Sequence, residues 1–259
     1  MRKVVENFAP HSSREIGRGE RVLLIYRDRR EGYAYASRLL QKSIKSGRIG
    51  VYISCFEETE ELRESLRALG EWVKEMEEGG MLKIIGSEKI TNYLEDLLRN
   101  ERKETIEGGD IPEGSQIYLD LGLYTKENMI MKLCDEGLRD VIPEKATLIM
   151  GYDSRRMAGI NIETLSKIMR AQDSIIFSFR EGRRAFVEAV EFVMCKVLGR
   201  VPCDTILNIL EKRYHIEKES ISEEFRVFRE LLTELFGYGG LIIEKIILKE
   251  FHTRITMER

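Results

Sequence analysis

The stretch Arg21-Val22-Leu23-Leu24-Ile25-Tyr26-Arg27-Asp28-Arg29-Arg30-Glu31-Gly32 decides how the chain is read. Its first half is a continuous apolar run, as expected of a strand buried on both faces of a parallel sheet. Its second half holds charged side chains and a single glycine. Working outward, similar runs recur at residues 51–54, 82–85, 116–121, 147–152 and 174–179, after the first at 22–26. Longer amphipathic stretches separate them. Tyr33, Ala36, Leu39, Leu40 and Ile44 repeat at three- and four-residue spacing and stop at Gly47. Leu62, Leu66 and Leu69 form a second stripe between Thr59 and Gly70. Further helices are predicted over 89–100, around Met129, Ile130, Leu133 and Cys134, and around Ile162, Leu165, Ile168 and Met169. Residues 101–114, with Gly108, Gly109 and Pro112, read as a loop. Strand and helix in alternation predict an α/β fold, a mostly parallel sheet flanked by helices.

After Arg180 the alternation stops. Residues 186–198, 203–214, 223–236 and 241–251 each read as helices, with breaks at 199–202 and 237–240. The expected division is an N-terminal extension over 1–17, an α/β domain over 18–181 and a small all-helical domain over 182–259. From Arg183 to Arg259 acidic and basic residues number 13 each, so no basic face marks a helix that reads DNA. A docking or output role is the expectation for this part.

Composition narrows the function classes. Of 259 residues 42% are hydrophobic and 34% charged with only four prolines, which fits a compact, helix-rich protein rather than a disordered one. A net charge of -3 gives no overall attraction to nucleic acid or anionic membrane. No apolar run is long enough for a membrane span, and the first residues lack a signal-peptide core, so a cytoplasmic location is expected. Glu, Lys and Arg dominate while Asn and Gln are scarce, a composition resembling thermophilic proteins. Cys55, Cys134, Cys195 and Cys203 form no CxxC pair, so free, buried thiols are expected rather than a zinc site or disulfide framework.

A nucleotide-hydrolysing domain of this shape needs glycines and a Lys-Ser/Thr pair between its first strand and helix, to wrap phosphates and hold magnesium. The corresponding segment, Arg27 to Gly32, has one glycine, no such pair and two acidic side chains. Lys42-Ser43 has the right letters a helix too late. Gln116-Ile117-Tyr118-Leu119-Asp120 reads as an apolar strand ending in an acid, as in a metal-binding Walker B strand, or as a strand-end aspartate capping a turn. ATP hydrolysis is not expected.

The run from Arg21 to Asp28, the helix from Tyr33 and Gly50-Val51-Tyr52-Ile53-Ser54 together resemble the opening of the MEDS domain, a sensory relative of RecA and KaiC. Gly151-Tyr152-Asp153-Ser154-Arg155-Arg156-Met157 is the sharpest match, and the resemblance covers roughly residues 18–180. It implies a RecA-like fold that senses a small molecule and signals through a fused domain. The sequence departs from the family where a cysteine is usual (here Met150 or Gly151) and where histidines are usual (here Gln172 and Arg21), so no His/Cys ligand set is carried over. The tail is similar to a small archaeal output domain at residues 210–214, 234–237 and 242–245.

In an open parallel sheet, ligands bind beyond the carboxyl ends of the strands. Tyr26, Arg27, Asp28, Cys55, Phe56, Ser87, Asp120, Tyr152, Asp153, Arg155 and Arg156 are the candidates to frame such a site. The bland alternative is that Asp153 caps a turn while Arg155 and Arg156 are solvated or paired with carboxylates. Phe177 and Phe179 fit the core, and His215 and His252 read as packing or surface residues. No nucleophile-and-base set stands out, and no cofactor, metal or catalytic residue is expected. The expected protein is a non-catalytic cytosolic sensor that binds a small molecule, with a protein partner through its helical part and self-association, and no nucleic-acid or membrane partner. The alternatives are an ATPase with a non-standard loop and a purely structural oligomerisation module.

Overall fold

The computed structural model describes residues 16–90, 111–121, 142–143 and 145–257. Six strands form one all-parallel sheet: β1 (Arg21–Tyr26), β2 (Gly50–Ser54), β3 (Leu82–Ile85), β4 (Gln116–Asp120), β5 (Thr147–Asp153) and β6 (Ser174–Phe177), in the order β3-β2-β4-β5-β1-β6. Eight helices are seen among the described residues. They are α1 (Arg29–Lys45), α2 (Thr59–Arg67), α3 (Trp72–Glu78), α4 (Ile162–Arg170), α5 (Arg180–Leu198), α6 (Arg200–Tyr214), α7 (Phe225–Phe236) and α8 (Tyr238–Met257). This is the α/β class expected from the alternation of runs, a parallel sheet flanked by helices, followed by further helices. The helices expected around 89–100 and 129–134, and most of the loop over 101–114, lie outside the described residues.

Successive strand residues point to opposite faces, and here the two faces differ in chemistry. One carries Leu23, Ile25, Val51, Ile53, Leu119, Met150, Tyr152 and Phe177 into an apolar core shared with α4, α5, α7 and α8. The other carries Val22, Leu24, Tyr26, Tyr52 and Tyr118 against α1, α2 and α3. The polar strand residues Asp120 and Asp153 alternate onto this second, tyrosine-bearing side. α1 follows β1 on that side and α4 follows β5 on the other. Neighbouring strands β1 and β5 therefore send their helices to opposite faces, which puts the switch point of the sheet at the ends of Tyr26 and Asp153.

The helical tail packs into the sheet's core. Phe177 of β6 lies 5.6 Å from Phe251 of α8, ring centre to ring centre, and Phe186 of α5 lies 5.3 Å from Phe251 and 5.9 Å from Phe225. The N–H of Ile175 donates to the carbonyl of Ser222 at 2.8 Å, so the segment leading into α7 covers the outer edge of β6. Glu244 of α8 is buried and accepts from Arg170 of α4 at 2.8 Å, with Arg229 of α7 at 3.6 Å. The expected boundary at 181–182 falls in the first turn of α5.

Several element ends differ from the sequence reading. α1 begins at Arg29 rather than Tyr33 because Asp28 caps it. α6 begins at Arg200, two residues before Pro202, where a missing N–H costs little. α8 starts at Tyr238 and runs through Gly239 and Gly240, which were expected as part of a break. Gly240 is tolerated there because its missing side chain leaves room for α7: a Cβ would lie 2.4 Å from the Leu232 carbonyl oxygen.

Phe251→Ala empties the centre of the ring cluster and is expected to cost about 3–5 kcal/mol. Because sheet and tail share that core, denaturant unfolding followed by far-ultraviolet circular dichroism should move to lower denaturant as one transition. Loss of the tail alone, with the sheet's transition unmoved, would contradict the shared core.

Candidate functional site

The connection from β1 to α1 is two residues long, Arg27 and Asp28. A phosphate-binding loop spans about eight. The short link also changes what sits at the start of α1. Asp28 accepts from the Glu31 N–H at 3.1 Å, and Glu31 reaches back to accept from the Arg27 N–H at 2.9 Å and the Ser178 hydroxyl at 2.7 Å. A helix N-terminus attracts an anion through its unpaired N–H groups and its dipole. Here Asp28 takes one of those N–H groups, and the Glu31 carboxylate stands beside the same turn.

Behind this turn Tyr26 is pinned between two glycines. A Cβ on Gly32 of α1 would come within 3.1 Å of its ring, and one on Gly151 of β5 within 3.2 Å. So held, the Tyr26 hydroxyl donates to Asp120 at 2.7 Å, and Tyr52 donates to the other carboxylate oxygen at 3.1 Å. Asp120 is 2% exposed. The Tyr118 ring packs 4.9 Å from that of Tyr52, and its hydroxyl has no hydrogen-bond partner. Tyr33 of α1 donates to the buried carboxylate of Glu57, which also faces Arg29 at 3.5 Å. Arg29 lies over the ring of Phe56 at 4.3 Å. Burial first, and the Asp120 charge second, push the Tyr26, Tyr52 and Tyr118 phenols well above their ordinary range, and do the same to the Cys55 thiol. These groups stay protonated at any physiological pH and cannot act as bases, and Tyr26 and Tyr52 serve as hydrogen-bond donors.

The structure brings Tyr26, Asp28, Cys55, Asp120, Asp153 and Arg155 to one edge of the sheet. Asp153 stands opposite Tyr26 in register, and the Cys55 N–H donates to the Asp120 carbonyl at 3.0 Å. Asp153 is buried, accepts from the Arg155 N–H at 2.9 Å and holds the Arg155 guanidinium, whose Nε lies 3.0 Å away. That hydrogen bond, with the Asp153 and Asp28 charges behind it, holds the guanidinium above its usual range. Asp153 thus caps the turn over Ser154–Gly159 and pairs with an arginine, as the bland alternative has it. Half-buried Arg156 lies on the same turn, and Ser87 donates its N–H to the Glu57 carbonyl at 2.7 Å.

Two candidates go elsewhere. Tyr152 alternates onto the apolar face and is buried among the core residues there. Arg27 turns toward α5, pairing with Glu181 at 2.7 Å over the ring of Phe179. Glu31, Tyr33, Tyr52, Glu57 and Tyr118 belong to the cluster yet were not among the candidates. The signal for Tyr52 and Tyr118 was in the strands, where each is a lone polar-tipped residue in an apolar run. At the opposite edge a cavity of about 540 Å³ opens between α4 and α7, lined by Arg170, Gln172, Asp173, Arg226 and Arg229. Among the described residues no three His, Cys, Asp or Glu side chains gather as a metal site.

No family model matches the chain. No curated protein matches it. Among solved structures it is similar to a KaiC-like protein from the hyperthermophilic archaeon Pyrococcus horikoshii, at 15% identity and a TM-score of 0.40. The match covers 62% of this chain and 72% of the other, and is too distant to bear on activity.

The tyrosine cluster sets the alkaline behaviour. Phenols whose folded pKa is raised stabilise fully below the unfolded value of about 10, and that stability is lost as pH climbs above it. Tyr26, Tyr52 and Tyr118 are each expected to subtract up to about 1.4 kcal/mol per pH unit there. Phenolate absorbance from these residues should rise together with loss of circular dichroism. Ionisation of all ten tyrosines in a still-folded protein would overturn this.

Proposed function

We propose that the chain is a non-catalytic regulatory protein, a RecA-like frame that has given up nucleotide hydrolysis and responds to a small molecule at the carboxyl edge of its sheet. The observation that carries this reading is the sealed start of α1, where Asp28 and Glu31 stand in for phosphate. A bound triphosphate would meet two carboxylates in place of N–H donors. Asp120, the acid at the Walker B position, is taken up by two phenols. What remains open to solvent is a rim of Arg29, Phe56 and Arg155 around the buried Asp120 and Asp153. A cationic and aromatic rim over buried acids suits a small organic ligand better than a magnesium-bound one. The MEDS-like run from Gly151 to Met157 builds the Arg155 side of this rim and supports a sensory role in a cytosolic setting, without cofactor.

A second feature favours a partner protein or self-association through the helical tail. Tyr238, Ile242 and Ile246 recur every four residues along α8 and are 78%, 50% and 38% exposed, with Leu235 of α7 nearby in sequence and also exposed. An apolar stripe left uncovered on a helix is an interaction surface.

Millimolar Mg-ATP is expected to leave the melting temperature unchanged, whereas a cognate metabolite at a hundred times its Kd adds about 2.7 kcal/mol. Asp28→Ala should cost about 1 kcal/mol as a lost helix cap, with no ATPase activity to lose. Magnesium-dependent ATP binding at micromolar levels would sink the proposal and favour a non-standard ATPase. For the tail, light scattering should show Ile242→Glu with a lower mass than the parent chain. A monomeric parent would remove self-association and leave a different protein as the partner.

A further inference from the structure

We propose that Cys195 and Cys203 form a reversible disulfide that fastens α6 to α5. They stand eight positions apart in sequence, with no CxxC pattern to announce the pair. The fold closes the gap: α5 ends at Leu198, Gly199 turns the chain with φ 88°, and α6 begins at once. The Cys203 N–H donates to the Gly199 carbonyl at 3.2 Å and the Gly199 N–H to the Cys195 carbonyl at 3.1 Å, so both cysteines are fixed by the same turn. Their sulfurs stand 2.6 Å apart. That is well inside the van der Waals contact of two sulfurs and close to the bonded separation of about 2.05 Å. The two sulfurs already face each other within reach of a bond.

The two thiols are unequal, which sets the order of events. Cys195 is half-buried and lies at a corner where Val197 and Val201 are exposed, so a reagent reaches it from solvent. Cys203 is fully buried, and burial with the neighbouring Cys195 pushes its thiol up to about 12. A hydroperoxide is the oxidant. The Cys195 sulfur attacks one peroxide oxygen, the O–O bond breaks, and the products are a sulfenic acid on Cys195 and water or an alcohol. The Cys203 sulfur then attacks the Cys195 sulfur, the S–OH bond breaks, and hydroxide leaves with the Cys203 proton as a water molecule. Two thiols are oxidised and one peroxide is reduced. A dithiol reductant reverses the bond by exchange.

The consequence falls on α6. It buries only Cys203, Ile206 and Leu210 fully, and among the described elements it leans on α5 and the 3-10 turn at Lys218–Ser220. A bond at its first turn adds a second covalent tie at the corner where Gly199 already joins α6 to α5. The effect is a latch on that corner, which sets how α6 leaves α5.

The full-length reduced protein is treated with hydrogen peroxide, denatured and alkylated, and its mass and peptide map are read. Two of the four thiols should be lost without change of chain mass beyond two hydrogens, and the linked peptides should carry Cys195 and Cys203. Cys195→Ser should keep its three thiols under the same treatment. Amide hydrogen exchange over residues 200–214 should slow in the oxidised form and recover with a dithiol. Four remaining thiols, or a bond joining other cysteines or two chains, would overturn the pairing. Equal exchange over 200–214 in both forms would overturn the latch.

Discussion

A carboxylate buried at the end of an interior strand of a parallel sheet has to be solvated by the protein itself. Asp120 is in that position, and much of the tyrosine-bearing half of the molecule follows from it. An unpaired buried charge would cost several kcal/mol. Two phenols meet the charge here, and each needs a fixed place. Tyr52 gets its place from the strand beside Asp120. Tyr26 comes from two strands away, across β5, and so needs β5 to have nothing in its path. Gly151 supplies that gap, and Gly32 lets α1 close over the other side of the ring. Phenols, glycines and helix placement are one solution to one electrostatic problem.

The same edge shows how a helix start behind a short link is closed by its own side chains. N–H groups at a helix start remain strong donors whatever the function. Once the link between strand and helix is too short to wrap a ligand, side chains have to satisfy them. Asp28 and Glu31 do so in a reciprocal arrangement, with Ser178 from beyond β6 as a further donor. The other face of the sheet has no such demands, and it is built of aliphatic and phenylalanine packing that extends into the tail.

Much of this was legible in the sequence. The six strands were visible as apolar runs because burial on both faces leaves no alternation to blur them. The absence of a phosphate loop was legible too, as missing letters. Its replacement was harder to read. Asp28 looked like a charge that repels phosphate, whereas its role as a cap depends on α1 beginning four residues earlier than the apolar spacing around Tyr33 indicates. Tyr152 was drawn into the candidate site by its neighbour Asp153, but adjacent strand residues face opposite ways, and only one of the two can line a given side. Tyr52 and Tyr118 escaped because a tyrosine within an apolar run looks like core until its hydroxyl has a partner. The nearness of Cys195 and Cys203 depends on the turn at Gly199, which spacing alone does not disclose.

The two-residue link between β1 and α1 bears on descent as well as on binding. Substitutions can change Asp28 or Glu31, but none can lengthen a connection. A lineage carrying this link could gain a phosphate loop only by insertion of several residues at a place where Tyr26, Gly32 and Gly151 are already in contact. Each inserted residue would push α1 off the sheet before any nucleotide could bind. The short link works as a constraint, and selection on such a chain acts on what the closed edge can do.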